Sequence, residues 1–448
     1  MKKLAHLIFL SILLASCKDY LDAKPDKQLA VPATLQDMNA LLDNAFMNTY
    51  TLLGEVSADN FYHTEAIWNS IPAERDRKIY TWENDAADGD TGAWSGRYNI
   101  IFVANVVLDG IEKISPKPNE QEEWKRIKGA ALFFRAYALT ETAQLFTAPY
   151  DDADADIALG IPIKLSPDIN ENISRGNLSD TYDRILTDFK QAATLLPSSS
   201  IIATRPNRAA AFGALARVYL YQRDYPKAGL YADSALQISN ELLDYNDINS
   251  RVATPFFRFN TEVVFHAYSS SSNLTLSRCR VDSMLYESYD ERDLRKVLFF
   301  LQNSDKKSYA FKGTYDGNNN NHFNGITTAE LYLIRAEAMA RADKKEEALA
   351  DLNTLMANRW EDGFFTAITA NTSEEALSKI LAERRKELVF RGQRWNDLRR
   401  LNKEPAFAET LTRQLGSKTF TLPPNDKRYV FPIPEDIIQI SGMPQNER

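Results

Sequence analysis

The sequence predicts a mainly α-helical protein, a tetratricopeptide-like scaffold of helical hairpins with long irregular loops and a few short strands. Three features carry that expectation. Ten segments place apolar residues at three- and four-residue spacing with few internal Gly or Pro. Two pairs of these segments share a repeat register, and the stretches between helices are too long for ordinary connectors.

The helical segments fall near 34–47, 97–113, 120–146, 179–195, 207–222, 226–239, 327–342, 345–358, 373–391 and 393–402. Thr327-Thr328-Ala329-Glu330 and Thr372-Ser373-Glu374-Glu375 match the capping box, in which a Thr hydroxyl and a Glu carboxylate reciprocally satisfy free amides of the first turn. Pro226 suits a first helical position, where an N–H has no partner to lose. Leu215-Ala216, Tyr219, Ala228 and Ala235 fall at tetratricopeptide offsets, where small residues let antiparallel helices approach and a large one fills the groove. Ala336, Met339, Ala348 and Leu355 repeat the pattern, and the twelve-residue step from Ala216 to Ala228 recurs from Ala336 to Ala348. Simple hairpins with alanine seams are the plainer alternative; the matched register favours repeat units.

The irregular stretches are 55–96, 147–178, 240–326 and 403–448, with short strands expected at Glu262–Phe265 and Tyr429–Phe431. Long loops in a compact domain are where a binding site is expected.

The first residues form a targeting segment. Lys2 and Lys3 are followed by an apolar run, Leu4 to Leu14, which has signal-peptide length and is too short to span a bilayer. Leu14-Ala15-Ser16-Cys17 resembles the bacterial lipobox, so residues 1–16 read as a signal, Cys17 as the lipidated residue and 17–33 as a tether before one domain over 34–448. Two or three acyl chains hold a protein firmly, at about 0.8 kcal/mol per buried methylene. The chain has 448 residues, 44% hydrophobic and 25% charged, enough for a large core. Its net charge of −8 deepens to −10 once Lys2 and Lys3 leave with the signal. That balance argues against nucleic acid, because the basic Arg384–Arg400 stretch is interleaved with Glu383, Glu387 and Asp397. Cys279 is then the only remaining cysteine, a small buried hydrophobe with no disulfide to make.

A family resemblance rests on motifs in order along nearly the whole chain: Asp19-Tyr20-Leu21-Asp22; Trp94 with Tyr98 and Asn105; Gly129 to Tyr137, containing Arg135-Ala136-Tyr137; Ala214 to Leu220; and Glu330 to Ala338. Later come Glu383-Arg384-Arg385-Lys386-Glu387-Leu388, Gly392-Gln393-Arg394-Trp395-Asn396-Asp397-Leu398-Arg399-Arg400, Pro432-Ile433-Pro434 and Gln445-Asn446. The chain resembles the SusD/RagB nutrient-binding lipoproteins of the Bacteroidetes outer membrane. That resemblance implies a surface-exposed, lipid-anchored (palmitate-bearing) protein, with Lys18-Asp19 as its export signal. It would capture an oligosaccharide, or in some members a peptide, and deliver it to a TonB-dependent SusC-like transporter, acting as a lid. A periplasmic tetratricopeptide scaffold that binds only proteins is the rival reading. Arg384, Arg394 and Trp395 read as buried ion pairs and an aromatic plug rather than as a site.

A glycan site needs exposed aromatics for stacking and carboxylate, amide or guanidinium groups for paired hydrogen bonds. The 59–98 stretch holds three of the six tryptophans and offers Asp59, Asn60, Tyr62, His63, Trp68, Arg75, Arg77, Tyr80, Trp82, Asp90, Trp94 and Tyr98. The resemblance also points to the loops after Glu262–Phe265, with Tyr268, Asn273, Tyr315, Asn318 to Asn321 (Asn320 at the centre of the candidates) and His322. No zinc helix, Cys-x-x-Cys pair, nucleophile elbow or phosphate loop is present, so neither an enzyme nor a cofactor is expected. Paired carboxylates of a glycosidase remain a minor alternative. Asp152-Ala153-Asp154-Ala155-Asp156 opens like a calcium loop but lacks its Gly and terminal Glu, and reads as a solvated acidic turn with no metal.

Overall fold

The computed structural model describes residues 32–85 and 92–448. Cys17, the signal and the tether up to residue 31, and Asp90, lie outside the described residues. Among the described residues the helices of eight or more residues are α1 (Leu35–Leu42), α2 (Ser95–Ile111), α3 (Gln121–Phe146), α4 (Leu178–Leu195), α5 (Arg208–Tyr221), α6 (Tyr225–Leu236), α7 (Thr328–Arg341), α8 (Lys345–Ala357), α9 (Ser373–Glu387) and α10 (Arg394–Leu401). All ten periodic segments are therefore helices. None of the described helices is long and apolar enough to cross a membrane.

Each of α2 to α8 packs on the helix before it, and α9 returns to pack on α7. Stacking of this kind needs small residues where backbones approach. Ala216, Ala228, Ala336 and Ala348 are fully buried at equivalent positions of the α5–α6 and α7–α8 hairpins. Arg223 (φ 63°) and Asp343 (φ 59°) take the left-handed conformation at the two hairpin turns, each five residues before the second alanine. The matched register is thus a true repeat. The two hairpins also stack on one another although residues 240–326 separate them in sequence: a Cβ on Gly229 of α6 would lie 2.7 Å from the Ala338 Cβ of α7.

Helix starts follow the caps only in part. Thr327 and Thr372 accept from the amides of Glu330 and Glu375 as expected. The reciprocal bonds are not made: Glu330 turns inward to Arg217, and Glu375 accepts from Asn371 N at 2.8 Å. A complete capping box forms instead at Thr34 and Asp37. Pro226 sits in the first turn of α6, one residue inside its start.

Among the described residues the strands form five two-stranded antiparallel ribbons. Val263–Phe265 pairs with Ile326–Thr327 at the head of α7, and Tyr268–Ser269 pairs with His322–Phe323. The expected strand at Tyr429–Phe431 is not formed; Lys427–Tyr429 is a 3-10 turn. The 403–448 stretch instead carries a hairpin, Leu411–Leu415 with Lys418–Leu422, turning at Gly416 (φ 58°). Its inward positions, Leu411, Arg413 and Leu415, alternate with exposed ones.

Ion pairs lie inside this scaffold. Glu387 receives Arg359 (3.0 Å) and Arg295 (3.2 Å), all three fully buried. Breaking a buried pair leaves an uncompensated charge, costing about 3–5 kcal/mol. Glu387→Gln should therefore lower stability by about that much in chemical denaturation, with little change in the m-value.

Candidate functional site

The two loop regions singled out from the sequence do come together. The Glu74–Tyr80 helix, the Thr51–Val56 segment and the Ser270–Asn273 loop line a groove of about 220 Å³. Pairing sets this up: Tyr50 N donates to Tyr268 O (2.8 Å), bringing the residues after Thr49 alongside the strand that runs into the serine loop. Ser272 Oγ then donates to Asp76 Oδ2 (2.8 Å), and Arg75 lies beside the same carboxylate at 3.2 Å. The result is a partly exposed guanidinium and carboxylate among three serine hydroxyls and an amide, a set suited to paired hydrogen bonds with vicinal hydroxyls.

Beneath the groove the polar groups are enclosed. Glu55 accepts from Asn60 Nδ2 (2.7 Å) and Gly392 N (3.1 Å), and burial pushes its carboxyl up to about 7. Glu141, also raised to about 7 by burial, accepts from Thr51 N and pairs with Arg97 at 2.7 Å. Two buried carboxylates thus hold the wall of the groove from behind.

The sequence candidates divide sharply. Arg75 and Asn273 line the groove. Tyr62, Trp68 and Tyr268 are half-buried, and Asn320 is exposed on its loop. Trp68 rests on the Glu74–Tyr80 helix, its Nε1 donating to Arg77 O (3.2 Å). The others are structural. Asp59 is held by Arg394 (2.6 Å) and Arg385 (2.9 Å); burial raises its carboxyl, but these two guanidinia more than offset it and keep it well below the carboxylate range. Asn60 is buried on Glu55. Trp82 is 2% exposed, with φ 57°, its Nε1 on Ser57 O (2.9 Å) and Arg413 over its ring (4.8 Å). Trp94 packs edge-on to Phe146 (5.0 Å). Tyr315 is fully buried between Glu262 (2.9 Å) and Tyr245 (2.7 Å). His63 and His322 are buried, which pushes their imidazoles down to about 3 and 4.

Sequence reading missed Asp76 and Ser270 to Ser272. A signal for the serines existed in the polar run that directly follows Tyr268. Asp152, Asp154 and Asp156 are exposed along a turn, and among the described residues no group of three potential ligands is gathered for a metal. A second and larger concavity, about 560 Å³, opens beside the C-terminal segment.

Two predictions test this layout. Trp82→Ala should cost about 3–5 kcal/mol, the range for deleting a core aromatic, while Trp68→Ala should cost no more than about 1.5 kcal/mol; denaturant titrations of the two variants decide it. For Glu55, a folded-state pKa of about 7 against an unfolded 4.5 means that the native state holds the extra proton. Its contribution is full below pH 4.5 and is lost as pH rises through 7. Glu55→Gln, which cannot ionise, should gain melting temperature relative to the parent as pH goes from 5.5 to 8.5; a pH-independent difference would contradict the assignment.

Comparison with known proteins agrees with the architecture. Residues 19–220 match the family model described as starch-binding associating with outer membrane, and residues 298–447 match the SusD family model. A SusD-like protein P2 of Formosa agariphila is 23% identical over 373 residues, covering 69% of this chain and 71% of that one. Among solved structures, a SusD superfamily protein from Bacteroides thetaiotaomicron aligns with a TM-score of 0.75 at 23% identity, covering 93% of this chain and 100% of the other. A protein from Bacteroides vulgatus described as a putative sugar-binding protein gives 0.74 at 22%, covering 93% and 99%. A laminarin-binding SusD-like protein gives 0.64 at 18%, covering 92% and 98%.

Proposed function

Because the chain belongs to the SusD/RagB family, we propose that it is a non-catalytic lipoprotein of the outer membrane that binds an oligosaccharide in the groove and delivers it to a TonB-dependent SusC-like transporter. The observation that carries this reading is the convergence of Arg75, Asp76 and the Ser270–Asn273 loop on one open groove. The guanidinium presents a donor fork, the carboxylate and serine oxygens accept, and together they match the alternating donors and acceptors of adjacent sugar hydroxyls. Trp68 and Tyr268, both half-buried, are the nearest candidates for stacking on a pyranose face. Cys17 would carry the lipid, and closure against the transporter would retain the ligand.

Isothermal titration against a panel of oligosaccharides, laminari-oligosaccharides included, tests the reading. At least one should bind, and Arg75→Ala should weaken it about tenfold or more, the loss of one charged hydrogen bond at about 1.5–3 kcal/mol, with an unchanged melting temperature. Saturable binding of peptides with no response to any glycan would move the chain to the peptide-binding alternative. Binding of proteins alone would favour the scaffold reading.

A further inference from the structure

The larger concavity lies where four segments meet: Ala148-Pro149 beyond the end of α3, Leu159, the end of α10 with Arg399, Asn402 and Lys403, and the C-terminal residues 425–430 and 444–447. At about 560 Å³ it has the volume of an ordinary small-ligand site, roughly 300–1,000 Å³.

Its electrostatics differ from those of the scaffold. Several buried arginines elsewhere meet carboxylates, as Arg217 meets Glu330, Arg384 meets Asp397 and Arg400 meets Glu337, while Arg413 and Arg391 lie against the rings of Tyr80 and Tyr315. Two buried arginines behind this cleft donate only to neutral oxygens. Arg399 donates to the main-chain carbonyls of Gln144 and Thr147 and to the Gln144 side chain, and its Nε has no partner. Arg175 donates to the carbonyls of Gly160 (2.7 Å), Pro444 (3.0 Å), Phe146 (3.3 Å) and Leu159 (3.4 Å). Burial pushes both guanidinia down to about 10, the mark of a desolvated cation without a counter-charge. The C-terminal pole of α3 offsets about half a charge of this excess.

The charged side chains of the lining have partners: Lys427 meets Glu447 (2.5 Å), Asp426 meets Arg428 (2.8 Å), and Lys403 meets Asp151 (3.3 Å), a carboxylate it shares with Arg223 (3.3 Å). The Lys427–Glu447 pair is open to solvent, so its carboxylate is readily displaced by another. The remainder is positive: Arg399 and Arg175 have no carboxylate, and Lys403 and Arg223 share one. Asn425 stands exposed at the rim, and Asn402 Nδ2 and the Tyr429 hydroxyl have no partner beyond each other.

We propose that this cleft is a second ligand site, for an acidic sugar unit. The carboxylate or sulfate of that unit replaces the protein's own acids on Lys403 and Lys427, in the field of Arg399 and Arg175, while Asn402, Asn425 and Tyr429 take its hydroxyls. The proposal rests on the sugar-binding reading above and adds a charge class to the ligand. One oligosaccharide could engage the protein through neutral units in the groove and acidic units here, or two chains could bind separately.

The test uses three probes on the folded chain by isothermal titration: a uronic-acid trisaccharide, a sulfated trisaccharide and their neutral counterpart. At least one acidic probe should bind, with affinity that falls as salt rises. Lys403→Gln/Lys427→Gln should weaken it about tenfold or more while the melting temperature holds, since both side chains reach solvent. If neither acidic probe binds, or if both bind the double variant as tightly as the parent, the proposal is overturned. A peptide with a free C-terminal carboxylate that competes more strongly than either acidic sugar overturns it as well. Neutral-sugar binding without acidic-sugar binding removes this proposal alone, whereas silence from all three and from the wider glycan panel removes the sugar-binding reading with it.

Discussion

The structure depends on a set of arginine–carboxylate pairs sealed inside it. Charges removed from water are costly unless each finds a partner of good geometry. Arg400 bridges Asp397 (2.8 Å) and Glu337 (2.6 Å), Arg384 reaches Asp397 (2.9 Å), and Arg359 joins Glu262 (2.7 Å) to Glu387. These contacts link α7, α9, α10 and Glu262, the residue that leads into the Val263–Phe265 strand. Apolar packing tolerates sliding by a turn, because one Leu replaces another; a buried guanidinium fork does not. The pairs therefore fix register where alanine seams alone would leave it loose.

That register reaches the groove through Asp59. Arg385 on α9 and Arg394 on α10 both close on its carboxylate, so the 55–62 segment is pinned to the same corner. Gly54 supports the arrangement from below: a Cβ there would come within 3.0 Å of Trp395, whose ring packs on Tyr429 and Phe431. From the opposite side, the 240–326 excursion leaves between α6 and α7 and returns through the ribbon at Thr327, which positions Ser270 to Asn273 against the Glu74–Tyr80 helix. A repetitive scaffold thus holds two irregular segments in one fixed juxtaposition.

How much of this was legible follows from the range of each interaction. Helices were readable because periodicity is local, and the hairpin repeat because Ala216, Ala228, Ala336 and Ala348 sit within two such windows. Glu330 was misread as a reciprocal cap, since its real partner, Arg217, lies over a hundred residues away. The 411–422 hairpin was overlooked because its inward position 413 is an arginine, which breaks the apolar alternation; that arginine is buried against Tyr80 (3.6 Å). The tryptophan-rich stretch looked like a stacking platform for the same reason: Arg413 and Ser57, which enclose Trp82, are invisible from its neighbours in sequence.

The fate of each polar residue therefore depends on whether the fold supplies it a partner. Asp59, Arg394 and Glu387 are fully claimed, and they belong to the scaffold however much their motifs invite a functional reading. Arg75 has only its neighbour Asp76, and its guanidinium stays partly exposed. Ser270 and Ser271 line the groove, with Ser271 capping only the local turn at Ser272–Leu274. Groups left with spare hydrogen-bonding capacity at a concave surface have no stabilising task to explain them, since an exposed arginine contributes little to folding. On that criterion the molecule separates into a closed electrostatic frame and a small open set of donors and acceptors, and the open set at the groove is the one the scaffold does not account for.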